Sequence, residues 1–288
     1  MVLPESAVGM SVASKANIDA WFERIGFAGS IAPSLETLGQ LVQMHVAAIP
    51  FENLDPLMGA PVRLDLSNLQ QKLLFDRRGG YCLEHNLLLK AMLEELDYEV
   101  KAHAAVVLWN HSEATDDPPT HLVLTVGVAG VTYLVDVGFG GQTPTAPLRL
   151  RSELEQATPH EPFRLIEDAG TWRLESLIGE EWRPLYRFTL APVSDDELGQ
   201  MNERASSSPT FRDGLIASRA EKGRRLVLGN LRFVIHVTGG ESEARMLISI
   251  AELREVLSGP LGIHLPAADR LDPALDRIVA ISSPPDQS

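Results

Sequence analysis

Cysteine is nearly absent: Cys82 is the only one in 288 residues. An internal disulfide is therefore excluded, and so is a metal site built on several thiolates. No apolar run approaches the ~20 residues that a helix needs to cross a bilayer. Residues 1–17 lack a basic segment followed by an apolar core, so no secretory signal is expected. Positive charge is scarce: 25 Lys and Arg stand against 39 Asp and Glu, a net charge of −14. That balance argues against nonspecific nucleic-acid binding. There is no internal repeat and no low-complexity tract. What remains is ordinary for a globular protein, 44% hydrophobic and 22% charged. The length suffices for a good core and two or three subdomains. A single thiol fits a reducing cytosol.

A lone cysteine is either a small buried hydrophobe or a nucleophile, and its surroundings favour the second. Arg78-Gly79-Gly80-Tyr81 precedes Cys82, and the two glycines are a turn signal. After it, Leu83, Leu87 and Ala91 recur at helical spacing, as do Leu88, Met92 and Leu96. Cys82 is thus expected in the first turn of a helix, where free N–H groups and the positive dipole end stabilise a thiolate.

A nucleophile needs a base, and the base an orienter. His121 begins a β-rich run to Val126, and a second run from Val131 ends in Asp136-Val137. Gly127-Val128-Ala129-Gly130 between them reads as a hairpin turn. A turn centred on Val128-Ala129 pairs His121 directly with Asp136 on one face of the hairpin. A carboxylate beside an imidazole fixes its tautomer and stabilises the imidazolium. Gly138-Phe139-Gly140-Gly141 then forms a loop that lets backbone approach a ligand closely. The bland reading is an ordinary cross-strand ion pair. His85 is a competing base three residues after Cys82, but nothing nearby orients it, and the Cys82/His85 pair offers a metal only two ligands.

Residues 17–98 read helical, with segments near 18–25, 35–48 and 82–96 and loops at Pro50, Pro56 and Pro61. Residues 99–192 read β, with runs at 100–109, 121–126, 131–137, 163–166, 172–177 and 182–190. The remainder is mixed: strands near 226–228, 231–237 and 244–248, then a helix opened by a Ser249…Glu252 capping box and stopped at Gly259-Pro260. The polar stretch 200–221 reads as a linker or lid, and the tail beyond Ile281 as disordered. The cysteine would come from the helical part and the His/Asp pair from the β part, with the site in the cleft between.

Four separated motifs occur in order: Ile49-Pro50-Phe51-Glu52-Asn53-Leu54, the segment around Cys82, Thr120-His121-Leu122, and Asp136-Val137-Gly138-Phe139-Gly140. Together they resemble an arylamine N-acetyltransferase. Trp21-Phe22-Glu23-Arg24-Ile25-Gly26-Phe27 is similar to that family's N-terminal segment, and Asn202 with Ser206-Ser207-Ser208-Pro209-Thr210-Phe211 to a looser later motif. The likeness spans roughly residues 18–260.

The resemblance implies an α+β fold with a cysteine-protease-like core. Its parts are a helical domain (1–98), an antiparallel β-barrel-like domain (99–200) and a mixed α/β domain (201–288). It implies a catalytic Cys82, His121 and Asp136 and an acceptor pocket holding Phe51, Thr120, Gly138, Phe139 and Phe211. Glu52 and Arg78 match residues expected to pair and hold the active-site turn. The implied reaction is ping-pong: acetyl-CoA acetylates the cysteine, and an aromatic amine, hydrazine or N-hydroxyarylamine takes the acetyl group. No metal, nucleic acid or membrane is implied, and a cytoplasmic location is expected. The Cys82 N–H is a candidate oxyanion donor. Leu83 stands where many members have phenylalanine. Glu203-Arg204-Ala205 replaces a more aromatic stretch, which could alter acceptor or cofactor preference.

Between positions 203 and 225 six basic residues face three acidic ones. They read either as a phosphate-contacting surface for CoA or as a solvated charged face. A cysteine hydrolase, amidase or transglutaminase-like enzyme would use the same Cys…His…Asp order. An inert binding protein with a buried Cys82 is the other alternative.

Overall fold

Helix boundaries follow the capping residues. The computed structural model describes residues 15–110 and 116–282. Helix α1 (Ile18–Ile25) begins at Asn17, whose side chain accepts the Ala20 N–H, and ends at Gly26 with φ +73°. Helix α2 (Leu35–Ala48) begins at Ser34, which accepts from the Thr37 N–H. A two-residue strand β1 (Phe51–Glu52) and a single turn α3 (Leu54–Leu57) follow. Helix α4 (Leu66–Gln70) runs on into a π-helical turn (Gln71–Phe75), and helix α5 (Cys82–Glu95) completes this part.

Seven strands form one antiparallel sheet: β2 (Glu99–Val107), β3 (His121–Val128), β4 (Val131–Val135), β5 (Leu148–Arg149), β6 (Phe163–Asp168), β7 (Thr171–Ile178) and β8 (Glu181–Thr189). Their spatial order is β5-β4-β3-β2-β8-β7-β6. The segment after β5 reaches the far edge of the same sheet. Gln156 exchanges both backbone hydrogen bonds with Phe163, at 2.8 and 2.9 Å, and the Glu153 N–H donates to Leu165 O at 2.8 Å. The sheet therefore curls into a nearly closed barrel, which leaves few free edges. Leu134, Phe163, Leu165, Leu174 and Tyr186 fill its core.

The β3–β4 turn differs from the sequence expectation. Val128 pairs with Val131 and Leu124 with Val135, so the turn is Ala129-Gly130. Both turn residues have positive φ, +49° and +77°, the type I′ geometry whose twist matches a hairpin. Alanine gives no signal for that conformation, which is why the turn was expected one position earlier. The register moves by two residues, so each side chain keeps its face.

The polar stretch expected to be a linker or lid is ordered as helix α6 (Asp195–Ser207), the short helix α7 (Pro209–Arg212) and strand β9 (Ile216–Glu221). Ser194 caps the first by accepting from the Glu197 N–H. Its apolar stripe is narrow: Leu198, Met201 and Ala205 meet the helical core while the rest of the helix is polar. Strands β10 (Arg224–Gly229), β11 (Arg232–Val237) and β12 (Glu243–Met246) follow β9 in a five-stranded sheet whose first strand is β1. Residues 51–52 thus lend an edge strand to the C-terminal part. Helix α8 (Ile250–Ser258) has its Ser249 cap, and helix α9 (Ala268–Ser282) packs Leu271 and Leu275 into the C-terminal core. Apart from Ser282, the tail expected to be disordered lies outside the described residues.

Candidate active site

Cys82 is the first residue of α5, with Tyr81 as its extended cap. The turn leading to it is held by close backbone approach. The Glu52 N–H donates to Gly80 O at 2.9 Å, laying β1 alongside the turn. A Cβ on Gly79 would meet Pro50 O at 2.0 Å, and one on Gly80 the Glu84 carboxylate at 2.6 Å. Neither glycine has positive φ. They are required by space, not by a left-handed turn.

Beneath the turn lies a buried charge network. Arg78 pairs with Glu52 at 2.7 Å and Asp55 at 3.0 Å. Lys72, carried by the π-helical turn, reaches Asp55 at 2.6 Å and Glu84 at 2.7 Å. The other Glu84 oxygen accepts the Tyr81 N–H at 3.0 Å, tying the network to the helix cap. The Glu52–Arg78 pairing matches the sequence expectation. Lys72, Asp55 and Glu84 were not singled out, because no local pattern connects them.

His121 opens β3 and Asp136 follows β4. His121 Nε2 and Asp136 Oδ2 are 2.7 Å apart. They are diagonal neighbours on one face, since the shifted register sets Asp136 beside Val123. The other Asp136 oxygen accepts from Asn86 Nδ2 at 2.9 Å and the Gly138 N–H at 2.8 Å. Asn86 also donates to Leu122 O at 2.8 Å and accepts the Val137 N–H at 3.1 Å. It stands one helical turn after Cys82, so it ties the nucleophile helix to both strands.

These contacts set the charges. Burial disfavours ionised His121, but the Asp136 carboxylate outweighs it, helped by hydrogen bonds to Asp136 and Cys82. The imidazole pKa is pushed up to about 10. Burial raises the Asp136 pKa, yet His121, Asn86 and the Gly138 N–H together hold it below the usual carboxylate range. Tyr186 lies against His121 with ring centroids 4.9 Å apart and planes tilted by 40°. Burial, then the Asp136 charge, pushes the Tyr186 phenol well above its ordinary value.

Cys82 is 6% exposed. Its Sγ donates to Thr120 O at 3.5 Å, and the thiol lies near enough to the His121 imidazole to help raise its pKa. With Nε2 on Asp136, the ring nitrogen left for the thiol is Nδ1. Gly138 presses directly on the Cys82 backbone. Cys82, Thr120, His121, Asp136 and Gly138 therefore meet at one point.

The aromatic residues divide around it. Phe139 meets His121 edge-on at 5.1 Å. The Phe51 and Phe211 rings lie 6.3 Å apart at a tilt of 58°, with Tyr81 at 5.5 Å from Phe211. Tyr81 and Tyr186 were missed by sequence reasoning, the first beside the nucleophile and the second with no local signal.

His85 is turned away from the site. Trp21 Nε1 donates to His45 Nδ1 at 3.3 Å, His45 Nε2 lies 3.1 Å from His85 Nδ1, and His85 Nε2 lies 3.1 Å from Pro50 O. Indole can only donate, which sets the tautomer along the whole row and leaves His85 no free nitrogen. Burial lowers its pKa to about 4.

Among the described residues no group of three or more His, Cys, Asp or Glu could hold a metal ion. Of the six basic residues between 203 and 225, four are engaged internally. Arg204 binds Pro119 O, Arg219 binds Ala47 O, Arg224 pairs with Glu221 and Arg225 with Glu161. This leaves less of that stretch to contact phosphate. No helix among the described residues is long and apolar enough to cross a membrane.

The family model described as N-acetyltransferase matches residues 34–270. The arylamine N-acetyltransferase of Mycobacterium tuberculosis is 41% identical over 256 residues, covering 86% of this chain and 90% of its own. A protein of Salmonella typhimurium named arylamine N-acetyltransferase / N-hydroxyarylamine O-acetyltransferase is 36% identical over 249 residues, covering 85% and 88%. The solved structure of the Mycobacterium marinum arylamine N-acetyltransferase in complex with CoA superimposes with a TM-score of 0.87 at 38% identity. It covers 91% of this chain and 99% of that one.

Proposed function

Because this chain belongs to the arylamine N-acetyltransferase family, we propose that it moves an acetyl group from acetyl-CoA to an arylamine through a thioester on Cys82, with His121 as base and Asp136 as its orienter. The observation that carries the reading is the 2.7 Å contact of His121 with the Asp136 carboxylate, beside a Cys82 thiol close enough to raise the imidazole pKa further.

The Cys82 proton rests on His121, whose raised pKa favours the imidazolium, and the sulfur attacks the acetyl carbonyl carbon. Asp136 stabilises the resulting imidazolium. The N–H of Cys82, at the open end of α5, is the donor we assign to the tetrahedral oxyanion. Collapse expels CoA as a thiol carrying the proton from His121. An amine nitrogen then attacks the thioester, gives its proton to His121, and releases Cys82. Hydrazine and N-hydroxyarylamine acceptors enter by the same second half-reaction. A thiolate suits both halves because it attacks and leaves readily.

We assign the acceptor ring to the space bordered by Phe51, Phe139 and Phe211, with Thr120 and Gly138 shaping the floor. In this reading residues 1–98 deliver the nucleophile, 99–200 the base and orienter, and 201–288 the Phe211 wall. A lone catalytic thiol is best kept reduced in the cytoplasm.

The test is acid-quenched intact mass with peptide mapping after mixing the protein with acetyl-CoA and no acceptor. One acetyl group on the Cys82 peptide, discharged by added arylamine, is the expected result. An unmodified Cys82 in folded protein would overturn the donor assignment and favour a hydrolase.

A further inference from the structure

We propose that α6 is a strap setting the gap between nucleophile and base, and that Arg204 is its positioning residue. The inference rests on the roles of Cys82 and His121 proposed above. Asn202, on α6, accepts the Tyr81 hydroxyl through Oδ1 and donates to Val62 O through Nδ2 at 3.0 Å. Tyr81 is the residue immediately before Cys82. Two positions on, Arg204 donates through both Nε and Nη2 to Pro119 O, at 3.3 and 3.2 Å. Pro119 is the residue before Thr120, and Thr120 O accepts from the Cys82 thiol at 3.5 Å. His121 comes next in the chain.

One stretch of helix thus grips the approach to the nucleophile with one side chain and the approach to the base with another. Positions two apart on a helix point about 200° apart around its axis, as expected of a helix lying between the two segments it holds. Met201 and Ala205 are buried and anchor that helix in the core. The far end of the grip needs an external donor. Pro118 and Pro119 have no N–H of their own to build a backbone ladder, while the Arg204 fork supplies two donors to one carbonyl. The same segment continues into α7, which brings Phe211 onto Tyr81.

The experiment compares full-length wild type, R204A, R204Q and R204K. Each is mixed with acetyl-CoA, quenched over time, and the acetyl group on Cys82 measured by mass. Alkylation of Cys82 by iodoacetamide against pH and thermal unfolding are recorded in parallel. R204A is expected to acetylate about tenfold to a hundredfold more slowly and to show a displaced alkylation profile, with its melting temperature essentially unchanged. R204K, keeping a single cationic donor, should recover part of the rate. Where R204A fails to fold, R204Q carries the same comparison. Acetylation of R204A or R204Q at the wild-type rate with an unmoved profile overturns the strap while leaving the triad reading intact. So does a slowing that matches only the unfolded fraction. A wild type that takes no acetyl group overturns both.

Discussion

Gly138 and Cys82 meet backbone to backbone: a Cβ at position 138 would lie 2.7 Å from the Cys82 Cα and 3.0 Å from its carbonyl oxygen. The φ of Gly138 is not in the left-handed region, so the glycine serves close approach alone. The loop after Asp136 reaches the nucleophile because nothing projects from position 138.

Gly138→Ala should accordingly push the loop off the helix. Overpacking of this kind costs about 1–3 kcal/mol, and it falls where the His121–Cys82 gap is set. Denaturant unfolding should show that loss, and Cys82 acetylation should slow by about tenfold or more. Wild-type stability and rate together would show that the loop yields freely.

Removal of the three central groups should be far more severe. Cys82→Ala should give no acetylated amine. His121→Ala and Asp136→Asn should each lower turnover by about a thousandfold or more, because such groups act as a unit. Steady-state acetylation of an arylamine, with circular dichroism to verify folding, is the check. Substantial activity in His121→Ala would remove it as the base.

The raised pKa of His121 has a signed consequence for stability. Its folded value of about 10 exceeds the ordinary 6.5, so the folded state binds the extra proton in that interval. The contribution is complete below pH 6.5 and is lost as pH rises toward 10. Unfolding free energies at pH 6, 8 and 10 should fall more steeply for wild type than for Asp136→Asn, which lacks the partner charge. Parallel curves would contradict the ion pair.

His85 should behave in the opposite way. His85→Ala is expected to cost about 1–3 kcal/mol by leaving His45 without its acceptor, yet to keep acetyl transfer per folded molecule near wild type. Its folded pKa of about 4 lies below 6.5, so its contribution is present above pH 6.5 and lost as pH falls toward 4. Acid unfolding compared between wild type and variant reads the difference. An inactive, folded His85→Ala would return it to the list of catalytic bases.

Where capping and apolar spacing agreed, the chain could be read directly. Helices α1 and α2 have the bounds expected of them, 18–25 and 35–48, and most barrel strands lie within two residues of their expected bounds. Helix α6 escaped because Leu198, Met201 and Ala205 are too few to show through its charged first turn. Strand β9 escaped because Ala217, Ser218 and Ala220 carry little apolar signal, although all three are buried in the sheet. The hairpin was recognised but misregistered, and it still delivered the His121–Asp136 contact because a shift of two preserves the face.

Local chemistry written along the chain was enough to nominate Cys82, His121 and Asp136: a thiol at a helix start, and an imidazole and a carboxylate on one side of a hairpin. Only the tertiary structure decided that the hairpin faces the helix, since no sequence spacing encodes the packing of α5 against β3. It alone decided that His85 turns inward, because the row to Trp21 and Pro50 joins residues up to 64 positions apart. The grip of Asn202 and Arg204, more than 80 residues from Pro119 and Tyr81, is of the same kind. Periodicity reports which face of an element is apolar, and folding decides what that face meets.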